Sequence, residues 1–188
     1  MTPEKAFSKL PRSPLPPIQN ATSVFAYKDP RVTKLIWNIK YKKHKTAVEI
    51  GGYALYQELI TLRRNVPDKP FLVLPMPITP RRRRERGFNQ CELLAEELAR
   101  LDKDKLFTFS NSILLRIQHA SRQTLKGRTE RLESAKGIFS VASETDILKE
   151  SQVVIIDDVI TTGSTIKEAM ETLDKAGFNS VRGLSLAH

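Results

Sequence analysis

The sequence predicts an α/β domain whose sheet is mainly parallel and is flanked by helices. Two uninterrupted apolar runs, at residues 71–74 and 153–156, are typical of strands that are buried on both faces. Segments with apolar residues at helical spacing lie between and after these runs, and strands that alternate with helices indicate a parallel sheet. The length of 188 residues suits one domain. We therefore divide the chain into a proline-rich segment, residues 1–22, and one folded domain, residues 23–188.

The individual elements follow from local patterns along the chain. The prolines of residues 1–22 predict an irregular segment, and the apolar pattern of residues 23–27 predicts a short strand. Residues 75–80 contain three prolines and are expected to be non-helical. From apolar residues at helical spacing, helices are predicted at residues 32–39, 48–62, 89–100 and 166–173. Further strands are predicted at residues 113–116, 137–141 and 180–186.

The composition is strongly basic. Lysine and arginine together number 31 against 21 acidic residues, which gives a formal net charge of +10. This charge predicts anionic partners, either phosphates or nucleic acid, with a generally basic soluble protein as the alternative.

The single cysteine limits the chemistry of the chain. Cys91 alone excludes an internal disulfide and a cysteine-rich zinc site, and its surroundings predict a small, half-buried helix residue without a catalytic role. The sequence has no apolar run of the ~20 residues that cross a membrane, and no apolar signal core at its start. We expect no membrane span and a cytoplasmic location.

Two adjacent carboxylates, Asp157 and Asp158, follow the second apolar run. They fall at the carboxyl end of a predicted buried strand, which is where open α/β sheets bind ligands. Such carboxylates accept hydrogen bonds from the vicinal hydroxyls of a sugar and bind Mg²⁺ directly or through water. Because neighbours in an extended strand point to opposite faces, we do not expect both to be buried together. The alternative is that they only end the strand and cap a turn.

A short turn of small residues follows the acids and precedes a predicted helix. Its hydroxyls, consecutive backbone N–H groups and glycine predict a cradle for a phosphate monoester at a helix N-terminus. It lacks the lysine and spacing of a Walker loop and the glycines of a dinucleotide fingerprint. The acids and the turn together predict a sugar phosphate as ligand. The residues of the turn are Thr161, Thr162, Gly163, Ser164 and Thr165.

Residues 153–165 resemble the motif by which type I phosphoribosyltransferases bind phosphoribosyl pyrophosphate. Further segments are similar to the ComF competence-protein family, over roughly residue 23 to the end of the chain. These segments are Phe25 with Tyr27, Lys40-Tyr41, Pro75-Met76-Pro77, Arg86-Gly87-Phe88-Asn89-Gln90, Gln123 with Leu125, Arg131, and Gly137-Ile138-Phe139. The resemblance implies a type I phosphoribosyltransferase-like fold and Mg²⁺ bound, directly or through ligand or water, at Asp157 and Asp158. It implies Asp157, Asp158 and Arg86 as the catalytic residues.

The resemblance also implies a pyrophosphate-binding loop at residues 77–87. Guanidinium groups bind the oxygens of a pyrophosphate bidentately, and we favour Arg86 because it adjoins Gly87 and a predicted helix start. For residues 81–84 a solvated basic face is the alternative. The candidate pyrophosphate ligands are Arg81, Arg82, Arg83, Arg84 and Arg86.

The polar segment from Arg116 to Gly137 lies where this enzyme class keeps a flexible lid. A lid excludes water from the reacting sugar and adds positive charge near the leaving pyrophosphate. An ordinary polar loop is the alternative. The candidate lid residues are Arg122, Gln123, Arg128 and Arg131.

Three departures from the related sequences refine these expectations. Many ComF-like proteins carry an N-terminal four-cysteine zinc ribbon, which this sequence lacks, and Ser134 stands where an asparagine is usual. Purine-salvage relatives have an aspartate where this sequence has Thr161. Because a threonine cannot act as a general base, the resemblance disfavours a purine acceptor.

Three hypotheses for function remain open from the sequence. The first is a phosphoribosyltransferase that uses Mg²⁺ and phosphoribosyl pyrophosphate with an unknown acceptor and acts in DNA uptake during natural transformation. The second is a non-catalytic competence factor that binds single-stranded nucleic acid. The third is a sensor that binds phosphoribosyl pyrophosphate without turnover. Single-stranded DNA and a protein of the competence machinery are the macromolecular partners that these hypotheses imply.

Overall fold

The computed structural model describes residues 2–13, 18–117, 137–142 and 148–188. Five strands form one sheet in which every neighbouring pair is parallel, and two short strands form a separate antiparallel pair. The main-sheet strands are β1 (Ala21–Phe25), β2 (Phe71–Pro75), β3 (Phe107–Phe109), β6 (Gln152–Val159) and β7 (Val181–Ala187), and the antiparallel pair is β4 (Leu114–Arg116) and β5 (Phe139–Val141). The predicted α/β class with a mainly parallel sheet is confirmed.

The order of the sheet is β1, β7, β6, β2, β3. The chain therefore passes from β2 to β3 in one direction across the sheet, and from β6 to β7 in the other. A right-handed crossover places the connecting helices of these two units on opposite faces. The order reverses between β2 and β6, and this reversal opens a crevice outside their carboxyl ends.

Helices cover both faces of the sheet. They are α1 (Pro3–Phe7), α2 (Pro30–Lys42), α3 (Lys45–Asn65), α4 (Pro80–Arg86), α5 (Gln90–Leu101) and α6 (Ser164–Lys175). One apolar cluster joins α2, α3 and α5 to the sheet, and the other joins α6 and the β4–β5 pair to it. Among the described residues, no helix has both the length and the apolar character that a membrane span requires.

β6 is buried on both faces, as its apolar run predicts. Val153 and Ile155 belong to the cluster around α6, whereas Val154 and Ile156 belong to the cluster around α2, α3 and α5. This alternation fixes the faces to which the following side chains point. The strand does not end before the acids but continues through them to Val159, because it pairs with β7 as far as Ala187.

The arginine run is helical, although no helix was predicted there. Thr79 accepts a hydrogen bond from the backbone N–H of Arg82 at 3.2 Å, and Pro80 occupies the first helical position, where its missing N–H costs nothing. Gly87 ends the helix in the left-handed conformation at φ +79°. The expectation that residues 75–80 contain no helix is therefore wrong at Pro80.

The start of the chain is more ordered than the expectation of an irregular segment. α1 packs on α3, and the ring of Phe7 lies 5.9 Å from that of Phe25 and 5.7 Å from that of Tyr53. β1 begins at Ala21, inside the segment that the sequence analysis separates as residues 1–22. Apolar residues of this segment thus pack against the domain, although the prolines around them predict an irregular segment. The division of the chain at residue 22 stays a prediction.

Candidate functional site

A cavity of about 410 Å³ opens at the crevice between the carboxyl ends of β2 and β6. It is bounded by the end of α2, the segment after β2, helix α4, the last residue of β4, and the turn between β6 and α6. Its lining residues are Lys40, Tyr41, Met76, Pro77, Ile78, Arg82, Arg86, Gln90, Arg116 and residues 157–166. Both predicted acids and the whole predicted phosphate turn therefore border one space.

The two acids point to opposite faces of the sheet. Asp157 Oδ1 accepts the backbone N–H of Asp158 at 2.8 Å and lies 3.5 Å from Cys91 Sγ, at the start of α5. Asp158 points toward α2, where its Oδ2 lies 3.1 Å from Lys40 Nζ. Asp158 is only 3% exposed, whereas Asp157 keeps intermediate exposure. Strand alternation thus separates the two carboxylates, as expected, while both still border the cavity.

Burial changes the acidity of two groups at this site. Desolvation, followed by repulsion from the charge of Asp158, raises the pKa of Asp157 to about 7. Burial, followed by repulsion from Asp157, holds the pKa of the Cys91 thiol well above its usual range. Cys91 is fully buried rather than half-buried, and as a neutral thiol it is a packing residue and not a nucleophile.

The turn before α6 combines a glycine in the left-handed conformation with exposed hydroxyl groups. Gly163 adopts φ +79°, and a Cβ there would lie 2.4 Å from Ile18 Cγ2, so both backbone conformation and space require glycine. Thr162 Oγ1 and Ser164 Oγ are 3.1 Å apart. The N-cap residue of α6 is Gly163, which has no side chain, and the backbone N–H of Ser164 lies 3.5 Å from Thr162 Oγ1. The following N–H groups of the first turn and the exposed hydroxyls lie at the positive end of the helix dipole.

The five candidate arginines divide into two groups. Arg82 and Arg86, four residues apart on α4, line the cavity. Arg81 and Arg83 instead form ion pairs with Glu85 and Glu92, and Arg84 is exposed outside the cavity. The structure does not bring these three arginines to the site. Helical periodicity is the signal that separates the groups, and it becomes visible only once residues 80–86 are known to be a helix.

Two cations of the site were not predicted. Lys40 belongs to the basic end of α2, and its Nζ reaches the buried carboxylate of Asp158. Arg116 ends β4 with its guanidinium 5.2 Å from the ring centroid of Phe139, and burial, followed by repulsion from Arg82, lowers its pKa. Lys40 stands in the Lys40-Tyr41 pair that is similar to the ComF family, but that resemblance gave it no role, and no local pattern distinguishes Arg116 from the other cations of the chain. Tertiary packing brings both residues to the cavity.

Arg86 is held by two contacts that position it at the cavity. Its Nη1 donates to Gln90 Oε1 at 3.0 Å, and its guanidinium carbon lies 5.1 Å from the ring centroid of Tyr41. Arg86 thus joins α4, α5 and α2 at one point. The predicted lid residues, Arg122, Gln123, Arg128 and Arg131, lie outside the described residues, so their role stays a prediction.

Comparisons with known proteins give a consistent family. The profile of the phosphoribosyl transferase domain matches residues 94–187, half of the chain. The chain is 34% identical to Competence protein F of Haemophilus influenzae, over 63% of this chain and 50% of that protein. It is 35% identical to Competence protein ComFC of Bacillus subtilis, over 62% of this chain and 44% of that protein. These two matches span about half the length of each relative.

A longer match and a solved structure extend the comparison. The chain is 28% identical to the DNA utilization protein YhgH of Salmonella typhi, over 89% of this chain and 71% of that protein. The structure of the allosteric regulatory enzyme of purine biosynthesis aligns with 80% of this chain and 30% of its own, at 14% identity and a TM-score of 0.45. From the family match and its parallel sheet, the chain belongs to the phosphoribosyl transferase domain family, with a type I α/β fold, as a ComF-like member.

Proposed function

We propose that the protein binds phosphoribosyl pyrophosphate at the cavity between β2 and β6. The observation that supports this is that one cavity is lined by two carboxylates, a helix-initiating phosphate turn and several cations. Asp157 and Asp158 would accept hydrogen bonds from the ribose hydroxyls, and the turn of residues 161–165 would receive the 5-phosphate. Arg82 and Arg86 would hold the pyrophosphate through their guanidinium groups.

The acids also fit a magnesium ion. Within the described residues, Asp158 Oδ2 is buried without a hydrogen-bond partner and lies 3.1 Å from the ammonium nitrogen of Lys40. Burial, followed by repulsion from Asp158, raises the pKa of Asp157, and a bound cation would favour its ionised form. Asp157 and Asp158 would hold Mg²⁺ directly or through water and ligand oxygens. This arrangement suits Mg²⁺, which usually keeps several water molecules in its coordination shell. When bound, the ion supplies neutralising charge for the pyrophosphate.

For turnover we propose a phosphoribosyl transfer in which the leaving group carries away its own electron pair. The lone pair of an acceptor atom forms a bond to C1 of the ribose, while the bond from C1 to the pyrophosphate oxygen breaks with inversion. Arg82, Arg86 and Arg116 would stabilise the charge that builds on the pyrophosphate. The protein needs no nucleophile of its own for this step, because positioning and charge provide the catalysis.

Calorimetric titration with phosphoribosyl pyrophosphate and Mg²⁺ tests the binding. We expect Asp157→Asn and Asp158→Asn each to weaken it by about tenfold or more, since each removes a charged hydrogen-bond acceptor. Arg84→Ala is the matched control, because Arg84 is exposed on α4 but lies outside the cavity. No binding to the wild type, or equal binding to all variants, would exclude the proposed ligand. Pyrophosphate release then separates a transferase from a sensor that binds without turnover.

A second candidate function is the binding of single-stranded nucleic acid during cytoplasmic handling of DNA. The supporting observation is that Arg81, Arg83 and Arg84 lie on α4 outside the cavity, beside a site for sugar and phosphate groups. The net charge of +10 favours a polyanion, and the relatives named above are competence and DNA utilization proteins.

Salt titration of binding to an oligothymidylate tests this function. The logarithm of the affinity should fall against the logarithm of salt concentration with a slope of about −0.7 for each phosphate neutralised. Replacing the three outer arginines by alanine should make the slope shallower and leave binding of phosphoribosyl pyrophosphate intact. A flat salt response, or a slope unchanged by the triple variant, contradicts this function.

A further inference from the structure

The segment before β1 contacts the turn of residues 161–165 from outside the cavity. A Cβ at Gly163 would lie 2.4 Å from Ile18 Cγ2 and 3.4 Å from Ile18 Cδ1, so the Ile18 side chain occupies the space beside the α-carbon of Gly163. Ile18 itself does not line the cavity, whereas every residue of the turn does. Ile18 also packs on the apolar cluster around α6. Its side chain therefore supports the turn without occupying the space for a ligand.

Backbone hydrogen bonds tie the chain ahead of Ile18 to the edge of the sheet. Residues 11–13 run antiparallel to β1, and the N–H of Ser13 donates to the carbonyl of Val24 at 2.9 Å. The N–H of Ala26 donates to the carbonyl of Pro11 at 3.0 Å. Because β1 pairs with β7 in the main sheet, these bonds anchor the segment to the sheet.

A tight turn joins Ile18 to the start of β1. The N–H of Ala21 donates to the carbonyl of Ile18 at 3.2 Å, and Asn20 adopts a left-handed φ of +60°, which asparagine tolerates better than most residues. The carbonyl of Asn20 accepts the N–H of Gly183 in β7 at 2.9 Å. The sheet thus determines where Ile18 lies, and through Ile18 it reaches the turn before α6.

The turn needs support because its central residue is a glycine. Gly163 has no side chain to restrict its backbone, and glycine keeps more conformational freedom than any other residue. A phosphate that is held by successive N–H groups binds best when these groups are already aligned, since ordering a loop on binding costs affinity. A branched side chain such as that of Ile18 is stiff and limits the backbone against which it packs.

We propose that Ile18 is a positioning residue for the 5-phosphate, and that it holds the turn of residues 161–165 in the conformation that binds this group. The inference rests on the proposed function, because the turn receives the 5-phosphate only if the cavity binds phosphoribosyl pyrophosphate. It gives the segment before β1 a role in ligand binding that the cavity lining alone does not reveal. Inorganic pyrophosphate, which is assigned to Arg82 and Arg86 on α4, should bind independently of Ile18.

Hydrogen exchange in the ligand-free protein tests the positioning itself. The N–H of Lys167 donates to the carbonyl of Gly163 at 2.9 Å and reports the order of the first turn of α6. Ile18→Ala should speed exchange of this amide by about fivefold or more, through local opening of the turn. The amides of residues 170–173, in the middle of α6, should change less, because they report opening of the whole helix. Ile18→Val, which keeps both branches at the β-carbon, should restore most of the protection.

Calorimetry with two ligands tests the link to the 5-phosphate. The probes are phosphoribosyl pyrophosphate and inorganic pyrophosphate, each added with Mg²⁺. Ile18→Ala should weaken the first by about threefold to tenfold and leave the second within about twofold, and Ile18→Val should retain both affinities. Phe7→Ala is the matched control, because Phe7 lies in the same segment but packs on the rings of Phe25 and Tyr53. It should lower the melting temperature without a selective loss of either ligand.

The outcomes separate this inference from the proposed function. Unchanged exchange of the Lys167 amide in Ile18→Ala, or an equal change in Phe7→Ala, overturns the positioning role. Equal weakening of both ligands, or faster exchange with unaltered affinity, overturns it as well, because each indicates a purely structural contact. If the wild type binds no phosphoribosyl pyrophosphate, the proposed function fails and the phosphate assignment fails with it, while the exchange result still decides whether Ile18 orders the turn.

Discussion

Replacing Asp157 by asparagine should stabilise the protein at neutral and alkaline pH. Burial and the neighbouring Asp158 raise the pKa of Asp157 from 3.8 to about 7. In the folded state the group therefore keeps its proton at pH values where the unfolded chain has lost it. The folded state then binds more protons than the unfolded state, so the free energy of unfolding falls as the pH rises from about 4 to about 7. Above that window the penalty is constant.

The size of the effect follows from the shift. About three pH units at ~1.4 kcal/mol each give an upper limit of about 4 kcal/mol, and we expect ~2–4 kcal/mol because the two carboxylates share the cost. Asparagine keeps an oxygen that can accept the backbone N–H of Asp158, so little is lost in return. In a chain of this length, at about 2–4 °C per kcal/mol, such a gain raises the melting temperature by about 4–16 °C at pH 8.

Urea unfolding at pH 4.5 and pH 8 measures the prediction. The free energy of unfolding of Asp157→Asn minus that of the wild type should increase from pH 4.5 to pH 8. Taking this difference cancels the contributions of the other titrating groups. Asp68→Asn, at an exposed carboxylate in the turn after α3, should show no such growth. A wild type that changes in parallel with Asp157→Asn, or an Asp157→Asn variant less stable than wild type at pH 8, would refute the reasoning.

Three other substitutions test the packing of the site. Gly163→Ala should lower the free energy of unfolding by about 2–3 kcal/mol, because alanine is strained in the left-handed conformation and its Cβ clashes with Ile18. Adding Ile18→Ala should restore the part of this free energy that the clash removes, measured in the same urea assay. Lys40→Met should cost about 2–3 kcal/mol at pH 8 by leaving Asp158 buried without its cation, and an Asp158→Asn background should remove most of that cost. Thr79→Ala should cost about 1 kcal/mol through loss of the α4 cap and weaken pyrophosphate binding measured by calorimetry, whereas Thr79→Ser should retain both. Equal losses in the single variants and their matched backgrounds would contradict these assignments.

The sheet and the phosphate turn could be predicted because their signals are local. The apolar run of β6 permits little besides a buried strand, and Gly163 between hydroxyl residues marks a turn that a side chain would block. α4 was missed because five arginines in seven residues carry no apolar periodicity. Thr79 and Pro80 are typical of a helix start, but the other prolines beside them favour a non-helical segment.

The full set of cations that line the site could not be predicted from the sequence. Lys40 and Arg116 belong to segments far apart in the chain, and they meet only because α2 and β4 pack around the end of β6. Arg82 and Arg86 differ from Arg81, Arg83 and Arg84 only in the face of α4 that they occupy. The orientation of α4 in the packed domain therefore decides which of its arginines line the cavity.

The parallel pairing of β1 with β7 governs when the protein can fold during synthesis. Ser23 and Ser185 hydrogen-bond across this pair although they are 162 positions apart in the chain. Until the ribosome has released β7, one edge of the apolar strand β6 has no neighbour and can pair with other chains. Closing so long a loop is slow. We expect a nascent chain that lacks β7 to depend on chaperones and to form the turn of residues 161–165 only after β7 has emerged.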